Sequence, residues 1–283
     1  MSSKVWLITG ASRGFGRIWA EAALERGDKV AATARDVASV ADLAERFGDA
    51  ALPLALDVTD ADQVRMAVGQ AHAHFGKLDV VVNNAGYSLV GMVEEVAEAD
   101  VRALFDTNYF GMLRVIQSAL PLLRQQGGGH ILGVSSGLGI VPMPLIGSYC
   151  ATKAAVESLH ESLASEVEPF GIKVTLVEPG EYATTFASQA SLKMAKPLDA
   201  YAGLREQIMG GLGGDERGDP QATAKAMLEI VDAEEPPLRF NLGSENLPMA
   251  RAAYAERLAT WEAWEAVSNA AQGGPTRGDA ASR

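Results

Sequence analysis

Short apolar runs alternate along the chain with longer stretches whose apolar positions recur at helical spacing, the sequence form of repeated βα units. The short runs predict strands at Lys4–Thr9, Lys29–Ala34, Ala51–Leu56, Leu78–Val82, His130–Ser135, Ile172–Glu178 and Leu238–Leu242. Several of them, such as Val80-Val81-Val82, are apolar at successive positions, as expected of strands buried on both faces of a parallel sheet. The longer stretches predict helices at Gly14–Arg26, Val37–Phe47, Asp60–Phe75, Glu98–Gln125, Tyr149–Pro169 and Pro220–Ala233, with a last helix over about Asn246–Ala270. No linker interrupts them. The expectation is one doubly wound α/β domain over residues 1–271.

Two segments break the rhythm. Residues 181–218 are rich in Met and Gly (Gly203, Gly210, Gly211, Gly213, Gly214, Gly218) and sit near the carboxyl ends of the strands, where ligands bind. They read as a lid over a site, with a loose surface loop as the plainer alternative. From Gln272 to Arg283 there is no Val, Ile, Leu or Phe, so a disordered tail is expected.

Composition narrows the function classes. The 283 residues are 48% apolar and 21% charged, with a formal charge of −12. That balance argues against nucleic acid or an anionic membrane as the main partner, since both select clustered Lys and Arg. Cys150 is the one cysteine, which excludes an intramolecular disulfide and a cysteine-based zinc cluster. His72 and His74 stand two apart on a helix, facing different sides, so no metal site is expected. The start of the chain lacks the apolar region of a signal peptide, and no segment approaches the roughly 18 unbroken apolar residues of a bilayer span. A cytoplasmic protein is the expectation.

Candidate chemistry begins after the first strand. Thr9-Gly10-Ala11-Ser12-Arg13-Gly14-Phe15-Gly16 leads directly into a helix. Glycines let the backbone turn sharply and approach a pyrophosphate, which the new helix's free N–H groups and dipole favour. The spacing differs from G-x-G-x-x-G, and a merely structural turn is the alternative. The second strand ends Ala32-Thr33-Ala34, followed by Arg35. A neutral Ala34 does not repel a ribose 2′-phosphate, and Arg35 and Arg13 offer cationic forks for one, so NADP(H) is favoured over NAD(H). Asp36 complicates this, because a shift of one residue would bring it to the ribose instead.

Tyr149 and Lys153 are four apart at a predicted helix start and share one face. A tyrosine hydroxyl has an ordinary pKa of about 10, and a neighbouring ammonium brings it toward neutrality. Ser135-Ser136, at the end of the fifth strand, lies on the same sheet edge as the glycine-rich turn.

Together, Thr9–Gly16, Asn83-Asn84-Ala85-Gly86, Ser136, Tyr149-x-x-x-Lys153 and Pro179-Gly180 resemble the short-chain dehydrogenase/reductase superfamily, in order and spacing through roughly residues 4–245. The resemblance implies a Rossmann-type domain with a seven-stranded parallel sheet, and hydride exchange between a nicotinamide and a carbonyl or alcohol. It makes Tyr149 the proton donor to the carbonyl oxygen and Ser136 the group that polarises it. Lys153 would contact the nicotinamide ribose and lower the tyrosine pKa, and Asn108 would hold a water in a proton relay. A mid-helix amide satisfied by backbone is the plainer reading of Asn108. The resemblance further places Asp57, followed by Val58, at the adenine amino group. Asn84, Ala85 and Gly86 fall along the adenosine ribose, and Thr184 beyond Pro179-Gly180 reaches the carboxamide. Glu181 departs from the family, which commonly has a small or neutral residue there. The closer likeness is to the branch that includes 17β-hydroxysteroid-dehydrogenase-like members, and relatives often form dimers or tetramers through the two long helices.

The substrate side is apolar. Leu138, Ile140, Val141, Met143, Leu145 and Ile146 lead to Tyr149, and Phe186, Met194, Tyr201, Ile208 and Met209 occupy the lid. Such walls suit a hydrophobic ketone, aldehyde or secondary alcohol. Trp261 and Trp264 are expected to be packing or interface anchors, and the helix carrying Arg251, Tyr254, Arg257 and Leu258 to cap the lid or a subunit contact. The rival reading is a non-catalytic nucleotide sensor on the same fold, and it has no need to keep Ser136, Tyr149 and Lys153 together. An epimerase or dehydratase would require a larger C-terminal sugar-binding region.

Overall fold

A computed structural model describes residues 3–184, 191–211 and 217–274. Its frame is a run of strands and helices in alternation. The first half comprises β1 (Val5–Ile8), α1 (Gly14–Glu25), β2 (Lys29–Ala34), α2 (Ala41–Phe47), β3 (Ala51–Ala55), α3 (Ala61–Phe75), β4 (Val80–Asn83) and β5 (Ser88–Val90). There follow α4 (Glu98–Phe105), α5 (Met112–Gln126), β6 (Gly129–Val134), α6 (Gly137–Ile140), α7 (Gly147–Val167) and β7 (Ile172–Pro179). The last part comprises β8 (Leu192–Met194), α8 (Ala202–Gly211), α9 (Thr223–Asp232), β9 (Arg239–Leu242), α10 (Asn246–Ala263) and α11 (Glu265–Gln272).

Seven strands form one parallel sheet in the order β3-β2-β1-β4-β6-β7-β9, the predicted doubly wound architecture. The chain winds outward from β1 to β3, then crosses back and continues from β4. The strand order therefore reverses between β1 and β4, and a crevice opens there at the strand carboxyl ends.

Side chains along each strand alternate between two cores. Val5 and Leu7 of β1 join Val81, Ile131 and Leu176 beneath α3, α5 and α7. Trp6 and Ile8 join Val82, Leu132 and Val177 beneath α1 and α9. Burial on both faces explains why the strands read as unbroken apolar runs. Polar ends of the large aromatics are satisfied: Trp6 Nε1 donates to Asp28 at 2.8 Å and Trp19 Nε1 to Thr223 at 2.9 Å.

The structure corrects several expected boundaries. The helix read over Glu98–Gln125 is α4 and α5 joined by a wide π turn at Asp106–Gly111. There the Asn108 side chain is drawn out to a neighbouring loop, and Gly111 packs so close to Val58 that a Cβ would lie 2.6 Å from its Cγ2. The last helix ends at Ala263 and resumes at Glu265, with Trp264 off helical geometry at φ −107° and ψ 7°. Within 181–218 the described residues 191–211 are more structured than a loop: β8 pairs in parallel with β5, and α8 follows, while 185–190 and 212–216, with Gly213 and Gly214, lie outside the described residues. These three-residue strands are too short for periodicity to reveal. In the expected tail, Gln272 closes α11, while residues 275–283 lie outside the described residues, as does Phe186. Trp261 and Trp264 are each 64% exposed, so within the protomer they anchor nothing. The reason is that α10 leaves the body after Ala250, held further out by Arg257 donating to the Ile140 carbonyl at 2.8 Å.

Candidate active site

The crevice floor is a clamp between two loops. The Thr9 hydroxyl donates to the Val82 carbonyl at 3.3 Å and accepts from the Asn84 and Ala85 amides at 2.9 and 3.0 Å. Asn84 Nδ2 donates back to the carbonyls of Thr9 and Gly10 at 2.9 and 3.1 Å. Gly10 adopts φ +68°, and a Cβ on Gly16 would lie 2.5 Å from both Asn84 Nδ2 and the Gly10 oxygen. Glycine is therefore demanded at both places. Arg13, before α1, makes no side-chain cap, and the first turn carries no acid. The orphan N–H groups beyond Gly14, where added atoms would meet nothing within 4 Å, suit an anion. This cradle fits a dinucleotide pyrophosphate.

Beside it, the two residues competing for the ribose have separate surroundings. The Asp36 carboxylate accepts from the Ala38 amide at 3.0 Å, capping the turn over Val37–Val40. Arg35 is exposed and makes no hydrogen bond or ion pair among the described residues. Arg13 instead donates to Ser191 Oγ at 2.8 Å, tying the glycine turn to the start of β8. Asp57 Oδ1 accepts from the Thr59 amide and hydroxyl at 2.9 and 2.7 Å, and Val58 is buried behind it against Gly111.

Across the crevice, β6 delivers Ser135 and Ser136. Ser136 caps α6, its Oγ accepting from the Leu138 amide at 3.1 Å. Its hydroxyl lies beside that of Tyr149, the third residue of α7, which is 6% exposed, near enough to favour the ionised phenol. Lys153, one turn on, is also buried. Its Nζ donates to the Val134 carbonyl at 2.7 Å and lies 5.6 Å from the centre of the Tyr149 ring. The expected lowering of the tyrosine pKa is outweighed: burial pushes the phenol well above its ordinary range, and the Ser136 hydroxyl opposes this. Burial pushes the Lys153 ammonium down to about 8, and Glu157 opposes that.

The Asn108 side chain is held mostly by backbone, as its mid-helix position allows. Its Nδ2 donates to the Tyr87 carbonyl at 2.9 Å and Thr152 Oγ1 at 3.2 Å, and its Oδ1 accepts from the Tyr87 amide at 3.0 Å. It thereby holds the loop after Gly86, where a Cβ would come 3.1 Å from Oδ1. Thr152, which sequence reasoning missed, passes the connection on by donating to the Tyr149 carbonyl at 2.8 Å.

At the end of β7, Gly180 donates to the Leu242 carbonyl at 2.9 Å, and a Cβ there would sit 2.1 Å from Glu245 Oε1. The Glu181 amide donates to that same carboxylate, while its own side chain is exposed, so the departure at this position leaves the crevice untouched. The Thr184 amide donates to the Tyr182 carbonyl at 2.8 Å, at the edge of the described residues.

The apolar wall is partly as expected. Leu138 and Ile146 pack with Leu89, Leu104 and Tyr149; Leu145, Tyr201 and Ile208 pack with Val90 and Met92. Met194 and Met209 are exposed instead. Leu145 adopts φ +72°, a strained left-handed conformation, and its carbonyl accepts from Gly91 at 2.7 Å.

The short chain dehydrogenase family model matches residues 4–195. This chain belongs to that family. It is 39% identical over 269 residues to Oxidoreductase BOA17 of Botryotinia fuckeliana, covering 94% of this chain and 98% of the relative. A crystal structure of a short-chain dehydrogenase from Streptomyces avermitilis superposes with TM-score 0.87 at 39% identity, covering 95% of this chain and 98% of that one. Two solved relatives hold different cofactors. A 3-ketoacyl-(acyl-carrier-protein) reductase from Brucella melitensis is complexed with NADH (TM-score 0.74, 27% identity, 86% and 98% covered). A short chain dehydrogenase from Burkholderia cenocepacia is complexed with NADP (TM-score 0.74, 26% identity, 92% and 97% covered). The protein is thus an oxidoreductase of the short-chain dehydrogenase family. No helix among the described residues is long and apolar enough to cross a membrane, and no group of three or more metal-ligating side chains gathers among them.

Proposed function

We propose that this dehydrogenase transfers a hydride between NADP(H) and the carbonyl or secondary alcohol of a hydrophobic small molecule. The observation that carries the reading is the buried Tyr149 phenol, with the Ser136 hydroxyl beside it and the Lys153 ammonium beneath its ring. When bound, the nicotinamide supplies or accepts the hydride. A hydride arriving at a carbonyl carbon builds charge on its oxygen, and the two hydroxyls are placed to meet that charge. Tyr149 gives its proton to the oxygen, Ser136 donates a hydrogen bond to it, and Lys153 steadies the phenolate left behind.

NADP(H) is preferred because Arg35 is unengaged while Asp36 is committed to its turn, leaving a cation rather than an acid to meet the ribose. Solved relatives holding NADH and NADP support a nicotinamide in either form. A nucleotide sensor would not need Ser136, Tyr149 and Lys153 assembled in this way. A panel of apolar ketones and alcohols, assayed with both cofactors by nicotinamide absorbance, tests the reading. Turnover is expected for ketones with NADPH. Cofactor binding without turnover of any carbonyl or alcohol would support the sensor instead.

The same reading includes a homo-oligomer. Phe110 stands 46% exposed on the outer face of α4 and α5, beside an open cavity of about 580 Å³ whose lining joins the apolar Val101, Phe105 and Phe110 to the charged Glu98, Arg102, Asp106 and Arg114. Light scattering is expected to give a dimer or tetramer, and a monomer would refute this part.

A further inference from the structure

Directly behind Lys153 lies a buried acidic pair that the chemistry above leaves unused. Glu157 stands one helical turn beyond Lys153 on α7, and Glu178 lies on β7; they are 5% and 0% exposed. Arg239 of β9 forks between them, donating to Glu178 Oε1 at 2.7 Å and pairing with Glu157, while its Nε reaches Glu161 at 2.9 Å. Glu157 Oε1 and Glu178 Oε2 have no donor among the described residues. The buried Ser135 hydroxyl is likewise unpartnered. A Cβ on Gly139 would lie 2.9 Å from Ser135 Oγ and 3.2 Å from Glu157 Oε1, so the pair abuts the turn that carries Ser136.

Two buried carboxylates facing one guanidinium are costly when both are charged, and a proton between them satisfies an orphan oxygen. Consistently, burial and the charge of Glu157 push Glu178 up to about 7, against Arg239. The charged groups around the pair are Lys153 and Glu161 on α7 and Arg239 on β9. His160 on α7 is driven down to about 4 by burial and stays neutral, its Nδ1 on the Val156 carbonyl at 2.9 Å. Asn246 of α10 donates to the Glu178 backbone carbonyl at 2.6 Å.

We propose that Glu157 and Glu178 share one proton behind Lys153 and act as positioning residues, placing a further negative charge beneath the Tyr149–Lys153 pair when that proton leaves. The proposal rests on assigning Tyr149 and Lys153 to the chemistry. Negative charge there makes it harder for either Tyr149 or Lys153 to release its first proton. In alkaline solution the native pair carries two charges, and either Glu157→Gln or Glu178→Gln leaves one. Each variant should therefore shift the alkaline loss of ketone reduction to lower pH, by roughly half to one unit. Glu157→Gln should shift it further, because Glu157 is nearer to Lys153. A merely structural role would lower stability and overall rate while leaving the pH limb in place.

The experiment measures the pH dependence of NADPH-linked reduction of the most active ketone of the panel, for the whole protein and both variants. Infrared spectra of the unmodified protein and of Glu178→Gln accompany it. A protonated-carboxyl band is expected near pH 6, fading as pH rises through 7 to 8 and missing in Glu178→Gln. An unmoved limb in a folded variant, or no such band in the native protein, overturns the proposal. Tyr149→Phe separates the two readings. If that variant keeps turnover, the functional reading falls; if it loses turnover while Glu157→Gln and Glu178→Gln keep the native alkaline limb, only the acidic pair falls.

Discussion

The two walls of the cleft are held in opposite ways. On one side, β6 and α7 present Ser136, Tyr149 and Lys153 from the middle of the sheet, each backed by buried atoms: the Val134 carbonyl, Thr152 and the Glu157–Glu178 pair. On the other, β8 and α8 form a thin cover. It is fastened by a two-stranded ladder to β5, by Arg205 to the buried Glu95 carboxylate, and by Tyr201 to Glu94 at 2.7 Å. Leu204 and Met209 of α8 face outward, 45% and 51% exposed. On the proposed function, the groups that meet the reacting atom sit on the frame. On the same proposal, the groups that choose among substrates sit on a cover held by a few ties, which can shift without disturbing the frame.

On that division, damage to the frame is expected to strike the chemical step and damage to the cover to strike recognition. The largest effect is expected from Tyr149→Phe, which removes the proton donor and leaves the ring in place. Turnover should fall about a thousandfold while NADPH affinity, read by fluorescence titration, changes little. Substantial residual turnover would remove Tyr149 from its role. Arg35→Ala comes next. Losing a charge-assisted contact should weaken NADPH binding roughly ten- to a hundredfold and leave NADH nearly unchanged. Equal losses for both cofactors would mean that Arg35 does not meet the 2′-phosphate. Arg205→Ala is the mildest, since it cuts one partly exposed tie of the cover. KM for apolar ketones should rise about two- to fivefold with kcat nearly constant. A fall in kcat with KM unchanged would show that the cover belongs to the catalytic frame.

The frame was far more legible in the sequence than the cover. Trp6 through Ile8 and Val80 through Val82 are apolar at every position because both sheet faces are buried, so the strands declared themselves. The Tyr149–Lys153 spacing and the Gly10–Gly16 turn are local patterns, and local patterns survive in one dimension. The partners of Asn108 did not: its amide meets Tyr87, a residue 21 positions away, through a π turn that no periodicity announces. Nor did β5 and β8, which are three residues each and exist because they pair with one another across about a hundred positions. Glu157 could be placed on the Lys153 face by its four-residue spacing, but its second carboxylate and its arginine come from β7 and β9.

Sequence alone thus determined which residues lie on which face of each element, because side-chain direction follows the local backbone period. It also marked Gly10 and Gly14 in the anion turn, where a positive φ is a property of single residues, whereas Gly16 is demanded only by the folded contact with Asn84. Tertiary structure decided which buried charges face one another and how strongly each holds its proton. Those outcomes depend on desolvation and on Coulomb interactions between strands and helices that only the folded sheet brings within a few ångströms.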